Sequence, residues 1–176
     1  MVSVGRHGSP GRVRTSEILH SILIGPADLA GDAIAITLIT HAERKGMSVL
    51  RGAASNAEFE TIIGRRVKGD PKRWFSGVAS FRSADVRSLS ATADTELRSV
   101  GDRLYCVFDT DMAGLPHHAD IIATMPRQHD KKKPKDAWRV ERGRMLALML
   151  NQISTPAQFR TGSLDVAATS APRNCS

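Results

Sequence analysis

Three stretches of the chain carry apolar residues at the spacing of an amphipathic helix. Residues 32–44 carry apolar side chains that suit a largely buried helix, and the apolar side chains of residues 137–153 form one stripe. Residues 56–66 form the third stretch, which follows Ser55. Ser55 and Glu58 have the spacing of a capping box, in which each side chain accepts from the other residue's backbone N–H. The pattern therefore predicts three helices.

Short apolar runs between turn residues predict strands. The clearest run covers residues 103–108, where the continuous apolar sequence is typical of a strand that is buried on both faces. Residues 119–125 form a second run, and the short loop between the two runs favours an antiparallel hairpin. Residues 47–50 and 77–81 predict further strands, whereas residues 15–24 fit either a strand or a helical turn.

The predicted elements fit one α+β domain, because 176 residues is close to the usual size of a single domain. We expect a small mixed or antiparallel sheet that is packed by about three helices. The domain spans residues 15–153 and includes a basic loop at 127–136 and a helix at 137–153. Residues 1–14 and 154–176 lack an apolar period, which predicts disordered tails at both ends.

The positive charge of the chain is concentrated outside this predicted core. Lys and Arg total 25 against 18 Asp and Glu, which gives a net charge of +7. Residues 15–126 carry 12 basic and 14 acidic side chains, a net charge of −2. Residues 127–150 carry eight basic and three acidic side chains, a net charge of +5. A basic protein favours polyanionic partners, and here the basicity is appended to a nearly neutral domain.

Residues 127–144, called the basic segment below, are the predicted nucleic-acid contact. Lys and Arg side chains that replace counterions on the phosphate backbone supply affinity without reading the base sequence. The alternative is a solvated basic loop that aids solubility. The candidate phosphate contacts are Arg127, Lys131, Lys132, Lys133, Lys135, Arg139, Arg142 and Arg144.

A set of carboxylates and imidazoles lies around the loop of the predicted hairpin. These side chains are the ligands that divalent metals use in hydrolytic sites, and a hairpin brings residues on its two strands close together. A structural role is the more common one, since Asp caps turns and His binds backbone groups in polar loops. No catalytic residue is assigned, and no cofactor is expected other than a divalent metal at this set. The candidate metal ligands are Asp109, Asp111, His118 and Asp120.

A second group of cations surrounds Trp74, as in sites for single-stranded nucleic acid. Trp74 is explained more simply as an anchor of the core or its rim. The cations of this group are Arg51, Arg65, Arg66, Lys68, Lys72 and Arg73.

Two short motifs resemble recurring patterns in small bacterial proteins. They are Met-Ser-Val-Leu-Arg at residues 47–51 and Pro-His-His-Ala-Asp-Ile at residues 116–121. The resemblance implies no activity, because those proteins have no function that transfers to these residues.

The remaining features favour a soluble cytoplasmic protein. The two cysteines, Cys106 and Cys175, suit neither a disulfide framework nor a zinc site of paired thiolates. No apolar run has the length of about 20 residues that a membrane helix needs, and residues 1–14 lack the apolar centre of a secretory signal.

Three functions fit these features. The first is a non-catalytic nucleic-acid-binding protein or a small subunit of a bacterial nucleoprotein assembly. The second is a metal-dependent phosphodiesterase or nuclease that uses the Asp/His set. The third is an adaptor or inhibitor whose basic face meets an acidic protein. The charge pattern favours the first, since no complete acid and metal set is evident.

Overall fold

The structure, a computed structural model, describes residues 11–31, 33–92, 99–124, 143–148, 150 and 151. These residues form a five-stranded antiparallel sheet, a two-stranded sheet and helices, which confirms the α+β class. In chain order the elements are β1 (Ile18–Gly25), β2 (Leu29–Ala30), β3 (Ala33–Ile34), α1 (Ile36–Arg44), β4 (Met47–Arg51), α2 (Asn56–Val67), β5 (Trp74–Arg82), α3 (Ser83–Ser88), β6 (Tyr105–Asp109), β7 (His118–Ala123) and α4 (residues 143–148, 150 and 151).

The large sheet has the strand order β5-β1-β4-β7-β6. Strand β1 lies inside the sheet and pairs with both β5 and β4. Strand β1 covers most of residues 15–24, which by sequence fit either a strand or a helical turn. Leu19 and Leu23 are buried on one face of β1 and Ile22 on the other, so the alternation that marks a half-exposed strand is missing. The predicted hairpin of β6 and β7 is confirmed as antiparallel.

Each face of the sheet is covered by its own apolar cluster. The larger cluster lies on the face that packs against α1, α3 and α4, and the smaller cluster lies under α2. The larger one includes Leu19, Leu38, Val49, Val86, Ile121 and Leu146. The smaller one comprises Ile22, Ile24, Leu50, Ile62, Ile63 and Leu115. The sheet therefore separates the described chain into two sides, called the α1 side and the α2 side below.

The start of α2 confirms the predicted capping box. The Ser55 hydroxyl accepts from the Glu58 N–H at 3.4 Å, and Glu58 Oε2 accepts from the Ser55 N–H at 2.8 Å. Two of the backbone N–H groups at this end are thereby satisfied. Ile62 and Ile63 are buried against the sheet, and the contact of Glu58 with the His117 N–H places the first turn of α2 near the start of β7.

Helix α4 is anchored firmly to the α1 side. Leu146 and Leu150 are fully buried, and the Asn151 side chain accepts from the Ile34 N–H at 2.9 Å. Residues 137–142, 149, 152 and 153 of the predicted helix lie outside the described residues. None of the helices that the structure describes is long and apolar enough to cross a membrane.

The ordered domain begins before Thr15. Val13 falls within the residues that the sequence pattern assigns to a basic tail, yet it is 1% exposed and belongs to the larger apolar cluster. The Gly11 carbonyl accepts from the Arg51 guanidinium. The predicted disorder of residues 1–10 and 154–176 concerns positions outside the described residues.

Candidate functional site

Most of the basic segment lies outside the part of the chain that the structure describes. Only Arg144 among the eight predicted contacts is described, and its side chain is exposed on α4. The positions outside are Arg127, Lys131, Lys132, Lys133, Lys135, Arg139 and Arg142.

The domain holds the chain on both sides of this segment. On one side, the Thr124 N–H donates to the Leu104 carbonyl at 2.9 Å, and the Thr124 hydroxyl donates to the carbonyl of Arg103. On the other side, Leu146 and Leu150 fix α4 in the larger apolar cluster. The seven cations therefore lie between two points that are fixed on the domain.

The pairing of β6 with β7 separates the four candidate metal ligands. Residues that are directly paired in an antiparallel sheet project on the same side. Asp109 pairs with Ala119, whereas Phe108 pairs with Asp120, so Asp109 and Asp120 project on opposite sides. His118 lies two residues from Asp120 and shares its side, which is the α2 side. The four side chains therefore do not form one cluster.

Asp109 instead takes part in an ion-pair group on the α1 side. Arg51 is 3% exposed, and its Nη1 lies 3.5 Å from Asp109 Oδ1. Its Nε and Nη2 donate to the two carboxylate oxygens of Glu17 at 2.6 and 2.9 Å. Burial opposes ionisation of Glu17, but the hydrogen bonds from Arg51 and from the Arg14 N–H outweigh it and lower the pKa of Glu17.

A buried guanidinium beside Asp109 disfavours a second cation at that carboxylate. Within the described residues, which include all four candidates, no three His, Cys, Asp or Glu side chains are placed to hold a metal ion. The geometry thus favours the structural role for Asp109.

The cations near Trp74 are also divided by the fold. Arg51 faces the α1 side, as described above. Arg66 donates to the Ile22 carbonyl and to Asp28 Oδ2, both at 2.6 Å, and Arg73 binds Asp70 Oδ2 at 2.9 Å. These three arginines therefore bind acceptors within the protein itself. The exposed cations of the group are Arg65, Lys68 and Lys72, together with the outer part of Arg73.

A cavity of about 320 Å³, called the α2-side cavity below, is lined mainly by α2 and by the α2 side of the sheet, and also by Leu38 and His41 of α1. Apolar side chains form much of its wall, and a smaller number of polar groups converge on it. The apolar side chains include Ile22, Leu50, Ile62, Met112 and Leu115. The polar groups are His20, His41, Ser48, Arg65, Arg66 and His118. A concave, largely apolar wall with a few polar groups is the usual form of a small-molecule site.

Ser48 and His118 form a hydrogen-bonded pair in this cavity. Ser48 pairs with Asp120 across β4 and β7, and His118 pairs with Leu50, so both side chains project on the α2 side. The Ser48 hydroxyl lies 3.1 Å from His118 Nε2 and 3.4 Å from Asp120 Oδ1. Ser48 is exposed, whereas His118 is 4% exposed. The serine thus presents a hydroxyl to the cavity in front of a buried imidazole.

The surroundings of His118 determine which of its nitrogens carries the proton in the neutral ring. His118 Nδ1 lies 3.1 Å from the Thr110 carbonyl and 3.0 Å from the Thr110 hydroxyl. A carbonyl oxygen only accepts, so Nδ1 carries the hydrogen and donates it. Nε2 is then an acceptor, and the Ser48 hydroxyl donates to it. A hydroxyl bound to an imidazole that a third group orients is the arrangement of an activated nucleophile.

Glu58 ties the start of β7 to the start of α2. It accepts from the His117 N–H at 3.0 Å and contacts His117 Nδ1 at 3.0 Å, in addition to its bonds with Ser55. Burial opposes ionisation of Glu58, but hydrogen bonds from Ser55 and His117 outweigh it and lower the pKa of the carboxyl. The residue next to His118 is therefore fixed in position by a buried carboxylate.

The polar side chains of the cavity that the sequence analysis did not assign to a candidate site are Ser48, His20 and His41. His20 is held by the Ser80 hydroxyl at 2.8 Å, and its ring centroid lies 5.6 Å from that of Phe59. The local signal at Ser48 is a polar residue within an apolar strand, which is also the ordinary pattern of a solvent-facing position. Its relation to His118 depends on the pairing of β4 with β7, which no local pattern specifies.

Comparison with protein-family models, curated proteins and solved structures gives no match to this chain. The charge distribution and the geometry of the α2-side cavity are therefore the grounds for a functional proposal.

Proposed function

We propose that the chain binds nucleic acid through the phosphate backbone, alone or as a small subunit of a nucleoprotein assembly, and that the basic segment is the contact. The observation that carries the proposal is the concentration of charge. Residues 127–150 account for +5 of the net charge of +7. Because each bound phosphate releases counterions, a cluster of this kind supplies salt-dependent affinity.

The described arginines support this choice, since several of them serve the protein's own acceptors. Arg51 binds the partly buried carboxylates of Glu17 and Asp109, and Arg66 binds the buried carboxylate of Asp28. Arg87 donates to the Val13 and Val107 carbonyls at 3.0 and 3.3 Å. Side chains that are engaged in this way offer few donors to a phosphate. The described residues on either side of the basic segment support the choice as well, because Thr124 and Leu146 are held by the domain.

Two triple variants of equal charge change test the proposal. One carries Lys131→Gln, Lys132→Gln and Lys133→Gln in the basic segment. The matched control carries Lys45→Gln, Lys68→Gln and Lys72→Gln, which are exposed lysines elsewhere on the domain. Fluorescence anisotropy at low salt, with labelled duplex DNA and the corresponding single strand, measures the dissociation constants. We expect the first variant to bind much more weakly than the wild type and the control to bind nearly as well.

Because Lys68 and Lys72 belong to the cations around Trp74, equal weakening by both variants would mean that binding depends on net charge or uses that group as well. Either result would refute the basic segment as the footprint. Absence of binding by the wild type at low salt would refute the proposal. In that case an acidic protein becomes the favoured partner, and binding to a polyglutamate column that resists nucleic-acid competitors would support it.

A further inference from the structure

Nucleic-acid binding through the basic segment leaves the α2-side cavity without a role. We propose that this cavity is a catalytic site for acyl transfer, in which Ser48 is the nucleophile, His118 is its general base, and the substrate is a carboxylic ester with a small apolar acyl group. This site shares no residue with the basic segment, so an experiment that refutes one proposal leaves the other untouched.

The geometry around Ser48 meets the requirements for a nucleophile. Its hydroxyl is exposed to the cavity and lies 3.1 Å from His118 Nε2, within hydrogen-bond reach of a base. The Thr110 carbonyl at 3.1 Å holds the hydrogen on His118 Nδ1, which leaves Nε2 as the acceptor. Asp120 Oδ1, 3.4 Å from the same hydroxyl, is a second acceptor on that side. The hydroxyl has one hydrogen and can donate to only one of these acceptors, and donation to His118 Nε2 leaves both lone pairs of Ser48 Oγ for attack.

The reaction needs only the ester and water. Ser48 Oγ attacks the ester carbonyl carbon as its proton passes to His118 Nε2. The bond from that carbon to the alcohol oxygen then breaks, and His118 returns the proton to the departing oxygen, which leaves an acyl ester on Ser48. Water attacks the acyl carbon and gives a proton to His118, which passes it to Ser48 Oγ as the acid leaves.

The surroundings of the pair indicate a neutral carbonyl substrate. A carboxylate 3.4 Å from the nucleophile repels an anionic phosphoryl group at the same point. Ile22, Leu50, Ile62 and Leu115 supply an apolar wall for an acyl chain. The cavity volume of about 320 Å³ is at the lower end of the range for ligand pockets, about 300–1,000 Å³. This volume limits the substrate to a small acyl group.

An alkyl fluorophosphonate, which reacts with activated serines, tests the proposal on the full chain. Mass spectrometry of the intact protein measures the extent of labelling, and peptide mapping locates the adduct. We expect one adduct per chain at Ser48, and none at that peptide in the Ser48→Ala variant. Ser99→Ala, a change at an exposed serine elsewhere, is the matched control and should label as the wild type does. His118→Gln should slow labelling by about 10²–10⁴-fold.

Hydrolysis of p-nitrophenyl butyrate provides the activity readout and should show a burst of one p-nitrophenol per chain. Circular dichroism checks the fold of His118→Gln. If that variant does not fold, the position of the adduct in the wild type still tests whether Ser48 is the nucleophile. An unlabelled wild type, an adduct on another residue, or a Ser48→Ala variant that labels and hydrolyses as fast as the wild type would overturn the proposal.

Discussion

Glu58 stabilises the fold by joining the first turn of α2 to the start of β7, and its removal should be costly. The carboxylate is 5% exposed and accepts from the N–H groups of both Ser55 and His117. Replacement by alanine leaves both donors without this acceptor. Ser55 is exposed, so water replaces part of its bond, whereas the His117 N–H is partly buried.

The magnitude follows from these two donors. Loss of a capping interaction costs about 1 kcal/mol. A buried donor left without a partner costs about 1–3 kcal/mol. Glu58→Ala should therefore lower the free energy of unfolding by about 2–4 kcal/mol. With a urea m value of about 2 kcal/mol/M, the unfolding midpoint should fall by about 1–2 M.

Urea denaturation followed by circular dichroism measures this change. Glu60→Ala is the matched control, since Glu60 lies on the same helix with an exposed side chain and undergoes the same change of residue type. The control should leave the midpoint nearly unchanged. If Glu58→Ala and Glu60→Ala shift the midpoint equally, the bond to His117 does not exist in solution and the link between α2 and β7 is refuted.

The same carboxylate sets a direction for the pH dependence of stability. The pKa of Glu58 in the folded protein lies below its usual value of 4.5. As the pH falls, the unfolded chain takes up the proton first, so this contribution is complete above pH 4.5 and is lost as the pH falls through the folded pKa. The difference in unfolding midpoint between the wild type and Glu58→Gln should shrink over that range. A difference that stays constant would contradict the lowered pKa.

Two further changes test the packing of the domain. Arg51→Met leaves the carboxylates of Glu17 and Asp109 without their buried cation and should cost about 3–5 kcal/mol in urea denaturation, so a loss below about 1 kcal/mol would contradict the ion-pair group. Leu146→Ala opens a cavity at a fully buried position and should cost about 2–5 kcal/mol, whereas Leu148→Ala, at a 63% exposed position of the same helix, should cost little; equal losses would contradict the placement of α4.

The local elements were predictable because their signals lie within a few residues. Ser55 and Glu58 specify the start of α2 by direct hydrogen bonds, and the apolar run at 103–108 indicated the strand that the structure places at Tyr105–Asp109. Strand β1 was ambiguous for a physical reason. It is buried on both faces, and a continuous apolar run of that length is compatible with a strand or a short buried helix.

The candidate sites were harder to predict because they depend on strand register. A hairpin alone suggested that Asp109 and Asp120 meet, but the pairing of Asp109 with Ala119 sends the two carboxylates to opposite sides. A shift of one residue changes the side on which every side chain of a strand projects. Ser48 and His118 lie 70 positions apart and meet only because β4 pairs with β7.

The salt dependence of nucleic-acid binding tests the proposed function most directly. The dissociation constant for duplex DNA is measured by anisotropy between about 50 and 200 mM salt for the wild type and for the variant that lacks the charges of Lys131, Lys132 and Lys133. If each lysine contacts one phosphate, the slope of log affinity against log salt should become shallower by about 2.7, at about 0.9 per contact. An unchanged slope in the variant would contradict the assignment of the basic segment as the phosphate contact.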